Sequence, residues 1–282
     1  MIHFIKIIRP LNLLIIIACV FLSALIIQNN IIYVEDIIPI ALVISLLAAF
    51  ANVINDIIDY EIDQANYLDR PIASGAISKK SGLIYAVILF LCILFIILFY
   101  DFNTLTFQLI CLNMLLIFLY TPLLKRIPLL GNLSVAFNLA MVFLITAIHL
   151  DGTTNLQVIF PPTILAFLLM LIREIVKDVA DFKGDKTFNV TTFPVRFGIH
   201  KSFLLIVILS IILICIAFYF YFYFYHNINY LILICVFIVL PLLYHLYAFY
   251  KNKTSTYCIY LAKVLKLITI FGVIVIYLAN NF

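Results

Sequence analysis

From residue 11 to residue 279 the chain is an almost unbroken succession of apolar runs, each close to the length that crosses the hydrocarbon core of a bilayer. Such a crossing takes about 20 consecutive apolar residues in an α-helix. Nine runs are expected as transmembrane helices, at 11–27, 37–55, 82–99, 104–120, 131–149, 157–176, 202–224, 229–248 and 260–279. Of the 282 residues, 67% are hydrophobic and 11% charged, too little polar surface to keep a domain of this size dissolved in water. The expected fold class is an all-α integral membrane protein, a single domain over residues 1–282. Basic patches with interleaved aromatics are absent, so nucleic acid is not an expected partner.

Charge placement tests the helix count. With the connections assigned alternately to two sides, all 17 Lys and Arg fall on the side of the N-terminus or in helix ends facing it. The opposite connections, around 29–36, 100–103, 151–155 and 226–229, hold none, and neither do residues 280–282. A wrong helix count would have scattered them. Lys and Arg accumulate on the cytoplasmic side of membrane proteins. The pattern therefore predicts a multi-pass protein of the cell membrane, with the N-terminus in the cytoplasm and the C-terminus outside, and it makes the net charge of +4 a matter of topology. The first apolar run is long for a signal-peptide core and lacks a clear small-residue cleavage site. The six Cys are scattered without a C-x-x-C pair and the five His are isolated, so zinc and structural disulfides are poor readings.

Two polar stretches on the cytoplasmic side, 61–81 and 178–200, are expected as loops capping a site, since loops carry function on a helical scaffold. Beside them lies a repeated pattern, D-x-x-D-x-x-x-D, once as Asp56, Asp59 and Asp63 and again as Asp178, Asp181 and Asp185. Positions i, i+3 and i+7 share one helix face, so each copy is a stripe of three carboxylates. Four spans separate the copies, which puts both at cytoplasmic helix ends and suggests two similar bundles facing each other across a central cavity. Negative charge at a helix C-terminus is unfavourable by about 0.3–1 kcal/mol per group, so cations must offset it: Lys177, Lys183 and Arg70 can do part of this, and a divalent metal would do it best. Oxygen-only donors without His or Cys point to Mg²⁺ or Ca²⁺. Mg²⁺ commonly combines a few carboxylates with substrate phosphate oxygens, and six Asp would suffice for two or three ions around a diphosphate. A single stripe would pass for a solvated helix end; two matched stripes on one side are harder to dismiss that way.

The residues around the stripes carry a resemblance. Asn55 precedes the first as N-D-x-x-D-x-x-x-D, and Asp69-Arg70-Pro71-Ile72-Ala73-Ser74-Gly75 follows it. Tyr120-Thr121-Pro122-Leu123-Leu124-Lys125-Arg126 follows the fourth span, and Arg9-Pro10-Leu11-Asn12 opens the first. Together these resemble the UbiA superfamily of intramembrane prenyltransferases over nearly the whole chain. The resemblance implies nine helices around a cavity that opens sideways to lipid, with a Mg²⁺-bound isoprenyl diphosphate donor beneath a cap formed by 61–81 and 178–200. It implies metal roles for Asp56, Asp59, Asp63, Asp178, Asp181 and Asp185, with Asp56, Asp59, Asp178 and Asp181 as the catalytic set. It implies substrate-binding roles for Asn55, Arg70, Lys125, Lys177, Lys183, Arg9 and Asn12. Tyr60 and Tyr120 are candidates to shield an allylic cation with their ring faces, with ordinary packing as their simpler role.

For the acceptor, Arg173-Glu174-Ile175-Val176-Lys177-Asp178 followed by D-x-x-x-D resembles the archaeal-type geranylgeranylglycerol-phosphate geranylgeranyltransferases, and 186–198 fits that group loosely. An acceptor with its own phosphate needs extra cations, and this region supplies Lys177, Lys183, Lys186 and Arg196. The expected reaction is Mg²⁺-dependent transfer of a geranylgeranyl group from its diphosphate to geranylgeranylglyceryl phosphate in ether-lipid synthesis, with membrane lipids as surroundings. The alternative is an aromatic acceptor of quinone biosynthesis, namely 4-hydroxybenzoate, homogentisate or a naphthoate. The Tyr120-to-Lys125 spacing, one residue longer than in the 4-hydroxybenzoate branch, counts against that branch. A transporter is a more distant reading: repeats and buried ionisable groups suit one, but here the mid-span regions are nearly uncharged.

Overall fold

The computed structural model describes residues 2–28, 33–66, 69–188 and 190–281. Residues 29–32, within one uncharged-side connection, residues 67–68 and 189, within the two expected cap loops, and residue 282 lie outside the described residues. Among the described residues the regular structure is helical throughout. In chain order it comprises α1 (Ile2–Ile7), α2 (Pro10–Ile27), α3 (Val34–Ile58), α4 (Tyr60–Asn66), α5 (Lys79–Phe99), α6 (Thr104–Tyr120), α7 (Leu130–Asp151), α8 (Leu156–Thr187), α9 (Phe193–Phe197), α10 (Ile199–Phe220), α11 (Ile228–Ile234), α12 (Leu240–Lys251) and α13 (Ser255–Asn281). Two π-helical turns, Tyr221–Tyr225 and Cys235–Val239, prolong α10 and join α11 to α12. Before the first, the Ala217 carbonyl accepts from Tyr221 N–H and also from the hydroxyl of the fully buried Tyr230, at 3.0 Å.

Eight of the nine expected spans are helices long and apolar enough to cross a membrane. The ninth, α6, is apolar but has 17 residues. The side chains agree with a lipid solvent. Leu98 and Phe99 are 79% and 77% exposed, and large apolar groups such as Leu14, Phe95 and Ile211 also point outward. A soluble surface does not carry apolar exposure on this scale. The chain is a multi-pass membrane protein.

Two compact units make up the chain, one of Met1–Leu124 with Ile145–Thr154, the other of Lys125–Leu144 with Asn155–Phe282. In the first, α3 is the central helix and packs on α2, α5 and α6. Its buried face carries Ile37, Ile40, Ile44 and Leu47 at helical spacing. In the second, α8 is central and packs on α10 and α13. It buries Ile159, Leu169, Ile172, Ile175 and Val179, and α13 contributes Leu261, Leu265 and Ile268.

The acidic segments end these two central helices differently. In the first unit α3 stops at Ile58 and Asp59 forms a turn before α4 begins. Backbone bonds from Asp59 N–H to the Asn55 carbonyl (2.9 Å) and from Asp63 N–H to the Asp59 carbonyl (2.8 Å) carry the helical register across the bend. In the second unit no bend occurs. The stretch from 178 was expected as loop, yet α8 runs through all three aspartates to Thr187, and α9 makes part of the remainder helical as well. The reason is local. Residues 178–187 hold no proline, and Lys186 in the last turn favours the negative end of the helix dipole. The helix stops where β-branched Val190, Thr191 and Thr192 precede Pro194.

Candidate active site

In the first unit the three aspartates are almost fully withdrawn from the surface: Asp56, Asp59 and Asp63 are 2%, 4% and 3% exposed. A buried carboxylate needs a paired charge, because burial alone costs several kcal/mol. Two arginines from distant segments supply it. Arg9 donates to Asp56 Oδ1 at 2.7 Å. Arg70 donates to the same oxygen at 3.3 Å and to Asp63 Oδ2 at 2.5 Å. Burial pushes the Asp63 carboxyl up to about 6, against the downward pull of Arg70 and with the upward push of Asp56 and Asp59. Asp56 and Asp63 are thus paired with two guanidiniums.

Each arginine is set by a specific backbone feature. Arg9 lies at φ 56, a left-handed conformation that costs a non-glycine residue about 1–2 kcal/mol, immediately before Pro10 at the start of α2. Asn52 on α3 donates to the Ile8 carbonyl at 3.1 Å and holds this junction against the helix that carries Asp56. Arg70 opens a tight turn. Ser74 N–H bonds the Arg70 carbonyl (2.8 Å), Gly75 N–H bonds that of Ile72 (3.0 Å) and Ile77 N–H bonds that of Pro71 (2.9 Å). Ser74 Oγ donates to the Pro71 carbonyl, and Gly75 adopts φ 77. Ser, Gly and Pro in the R-P-x-x-S-G stretch are thus the residues that build the turn. Lys6 on α1 donates to the Asp69 carbonyl at 2.7 Å and anchors the same turn. Asn55 and Asn12 are half-buried on α3 and in the first turn of α2. Tyr60 lies beneath the Lys79 ammonium, 3.9 Å from the ring centroid, which makes its ring face a cation acceptor.

In the second unit Asp185 is buried and Asp178 and Asp181 are half-buried along α8. Asn132 on α7 donates to Asp178 Oδ2 at 2.8 Å. Thr192 Oγ1 donates to Asp185 Oδ2 at 3.2 Å, and Val190 N–H bonds the Asp185 carbonyl, which folds the following segment back on the helix end. Ser255 at the start of α13 donates to the Ala180 carbonyl at 2.7 Å. Lys177 is engaged with Glu174, at 2.9 Å. Lys125 lies half-buried in the 3₁₀ turn Leu124–Arg126, while Lys183, Lys186 and Arg196 are exposed. Asn132, Glu174 and Thr192 were not singled out from the sequence. Asn132 and Glu174 had one available signal, a polar residue inside an otherwise apolar span; Thr192 had none.

Among the described residues no three carboxylate, imidazole or thiolate groups close on a point as a ready-made ion cage. Mg²⁺ does not require one, since it is usually held by one or two carboxylates together with waters and substrate phosphates. The donor chemistry fits such an ion: the acids are all oxygen ligands, and the first cluster is buried.

A model of the UbiA prenyltransferase family matches residues 14–277. The digeranylgeranylglyceryl phosphate synthase of Methanoregula boonei is 35% identical over 202 residues, 72% of this chain and 71% of that protein. The enzyme of the same name from Methanobrevibacter smithii is 30% identical over 248 residues, 84% of each. Among solved structures, one of digeranylgeranylglyceryl phosphate synthase superposes with a TM-score of 0.76 at 26% identity, covering 99% of this chain and 98% of that one. A UbiA homologue from Archaeoglobus fulgidus bound to GPP and Mg²⁺ superposes with a TM-score of 0.71 at 18% identity, over 97% of this chain and 99% of that one.

Proposed function

The chain belongs to the UbiA prenyltransferase family, and from that premise we propose that it transfers a geranylgeranyl group from its diphosphate to geranylgeranylglyceryl phosphate, with Mg²⁺, as a digeranylgeranylglyceryl phosphate synthase. The observation that carries this reading is the similarity to synthases of that name over 72–84% of the chain. The solved homologue with GPP and Mg²⁺ supports an isoprenyl diphosphate as donor.

In this reaction the bond between allylic C1 and the diphosphate oxygen breaks, and the acceptor hydroxyl oxygen forms an ether bond to C1. Diphosphate leaves and the hydroxyl proton is released. Bound Mg²⁺ would neutralise charge developing on the leaving diphosphate, held through Asp56, Asp59 and Asp63 of the first unit and Asp178, Asp181 and Asp185 of the second. Arg9 and Arg70 then have two tasks: they hold the buried acids apart, and they present guanidinium donors to phosphoryl oxygens. Asn55, Asn12, Lys125, Lys177 and Lys183 complete the proposed substrate-binding set. The one-sided distribution of Lys and Arg further supports a site on the cytoplasmic face of the cell membrane, with the N-terminus inside and the C-terminus outside.

The test is a product assay on membranes containing the protein, with geranylgeranyl diphosphate and Mg²⁺. Geranylgeranylglyceryl phosphate, 4-hydroxybenzoate and 1,4-dihydroxy-2-naphthoate are offered in parallel, with and without EDTA. An EDTA-sensitive digeranylgeranylglyceryl phosphate product is expected. A prenylated aromatic product in its place would overturn the acceptor and keep the donor chemistry.

A further inference from the structure

Glu174 has no part in the reaction as described, yet it is placed as few acids in the chain are. On α8 it lies at i, with Asp178, Asp181 and Asp185 at i+4, i+7 and i+11, so it continues the acidic stripe one turn deeper into the helix. It is 5% exposed. Both of its carboxylate oxygens are engaged by cations: Arg173 Nη1 donates to Oε1, and Lys177 Nζ donates to Oε2 at 2.9 Å. A carboxylate so occupied is a poor metal ligand and a good counter-ion.

We propose that Glu174 is a positioning residue that holds Arg173 and Lys177 together as a phosphoryl-binding pair beside Asp178. This deepens the transferase reading above and rests on it. Arg173 and Lys177 are four residues apart on α8, where like charges repel and would splay. A buried anion between them removes the repulsion and leaves the trio with one net positive charge. Donors remain for a ligand. The Lys177 side chain is 39% exposed and has three N–H groups, and the buried Arg173 Nε has no hydrogen-bond partner among the described residues. A phosphoryl group, with several acceptor oxygens and net negative charge, fits an Arg–Lys pair. Stability alone does not account for the arrangement, because well-packed apolar residues commonly replace a buried ion cluster at no cost. The phosphoryl group belongs either to the donor diphosphate or to the acceptor monoester, and the experiment separates the two.

Steady-state kinetics in proteoliposomes compare the wild type with Glu174→Gln, Lys177→Gln and the double variant, varying donor and acceptor separately. Inhibition by inorganic pyrophosphate and by inorganic phosphate is measured alongside. Glu174→Gln is expected to raise KM about tenfold for the one substrate whose phosphoryl group the pair binds, with kcat within about threefold. Inhibition by pyrophosphate weakens in parallel if that substrate is the donor, and inhibition by phosphate if it is the acceptor. The double variant should raise KM by less than the two single variants combined, since the part of Glu174's effect that passes through Lys177 is lost once Lys177 is gone. Unchanged KM for both substrates, or additive effects in the double variant, overturns the inference. If Glu174→Gln is not recovered folded, Glu174→Asp replaces it: one methylene shorter, it is expected to reach only one cation and to give the same KM shift, and an unchanged KM overturns the inference equally. A wild type that makes no ether-lipid product would overturn the proposed function instead.

Discussion

The two acidic stripes share one spacing and are neutralised in opposite ways. In the first unit the helix bends at Asp59, and the compensating charges come from afar in sequence: Arg9, 47 residues from Asp56, and Arg70, 14 residues from it. In the second unit α8 continues through its aspartates, and Arg173 and Lys177, neighbours on the same helix, bind Glu174, while Asp178 is held by a neutral amide. The first arrangement exists only when α1, α2, α3 and the turn at Arg70 are assembled. In the second the Arg173–Glu174–Lys177 trio lies within one helix, while Asn132 and Thr192 reach Asp178 and Asp185 from other segments. A repeated sequence pattern therefore does not imply a repeated environment, and the two stripes should fail differently when perturbed.

The largest expected effect is also the one in which the stripes should behave alike. Asp56→Ala and Asp178→Ala are each expected to lower turnover by at least about 100-fold, the scale seen when a single group stabilising developing charge is lost. Membrane insertion and expression should be retained. EDTA should produce a loss of the same order in the wild type, restored by Mg²⁺. Product formation per inserted protein is the measurement. Full activity in either variant would mean that only one stripe serves the reaction.

Removing the cations should separate the two. Arg70→Ala leaves Asp56 and Asp63 buried with one partner fewer, and breaking a buried pair from one side costs about 3 kcal/mol or more. A chain of this size should then lose roughly 6–12 °C in thermal midpoint in detergent. Arg9→Ala should cost less, because its side chain is 33% exposed and Asp56 keeps Arg70. Lys177→Ala, in the second stripe, should change the midpoint least, since its head group is the most exposed of the three. Equal shifts in all three would remove the distinction between long-range and local neutralisation.

The sequence disclosed what depends on composition and period. The apolar runs located the spans, because a membrane helix needs only length and hydropathy, and the helical spacing of Asp56, Asp59 and Asp63 survived the bend because backbone bonds bridge it. Asp178, Asp181 and Asp185 were read as one helix face as well, but the helix was expected to give way to loop from 178, where polarity rises and the backbone simply remains helical to Thr187. The partners were harder still. Arg70 was expected both to offset the acids and to meet substrate, but Arg9 only to meet substrate, and the Arg9 contact with Asp56 depends on how segments far apart in sequence pack. Asn132 and Thr192 came from outside both motifs, and no local pattern links Asn132 to Asp178 across 46 positions.

Asn132 gives the next smaller effect. Asn132→Ala deletes a hydrogen bond to a carboxylate, about 1.5–3 kcal/mol, and should lower kcat/KM by roughly tenfold or more without altering insertion. The corresponding loss at Asp56 requires removing an arginine.

The smallest effect probes the turn that serves the first stripe alone. Gly75 adopts φ 77, and a Cβ placed there would meet nothing within 4 Å, so Gly75→Ala introduces backbone strain and no clash. The cost is about 1 kcal/mol, or roughly 2–4 °C in midpoint. If the turn exists to present Arg70, the same variant should also raise the KM for the isoprenyl diphosphate, because relaxing the strain moves the segment hydrogen-bonded to the Arg70 carbonyl through Ser74. A shifted midpoint with unchanged KM would make the turn a structural connection and leave Arg70 positioned by its aspartates alone. A raised KM would mean that the first stripe depends on an irregular backbone for its cation, where the second obtains its cations from the regular backbone of α8.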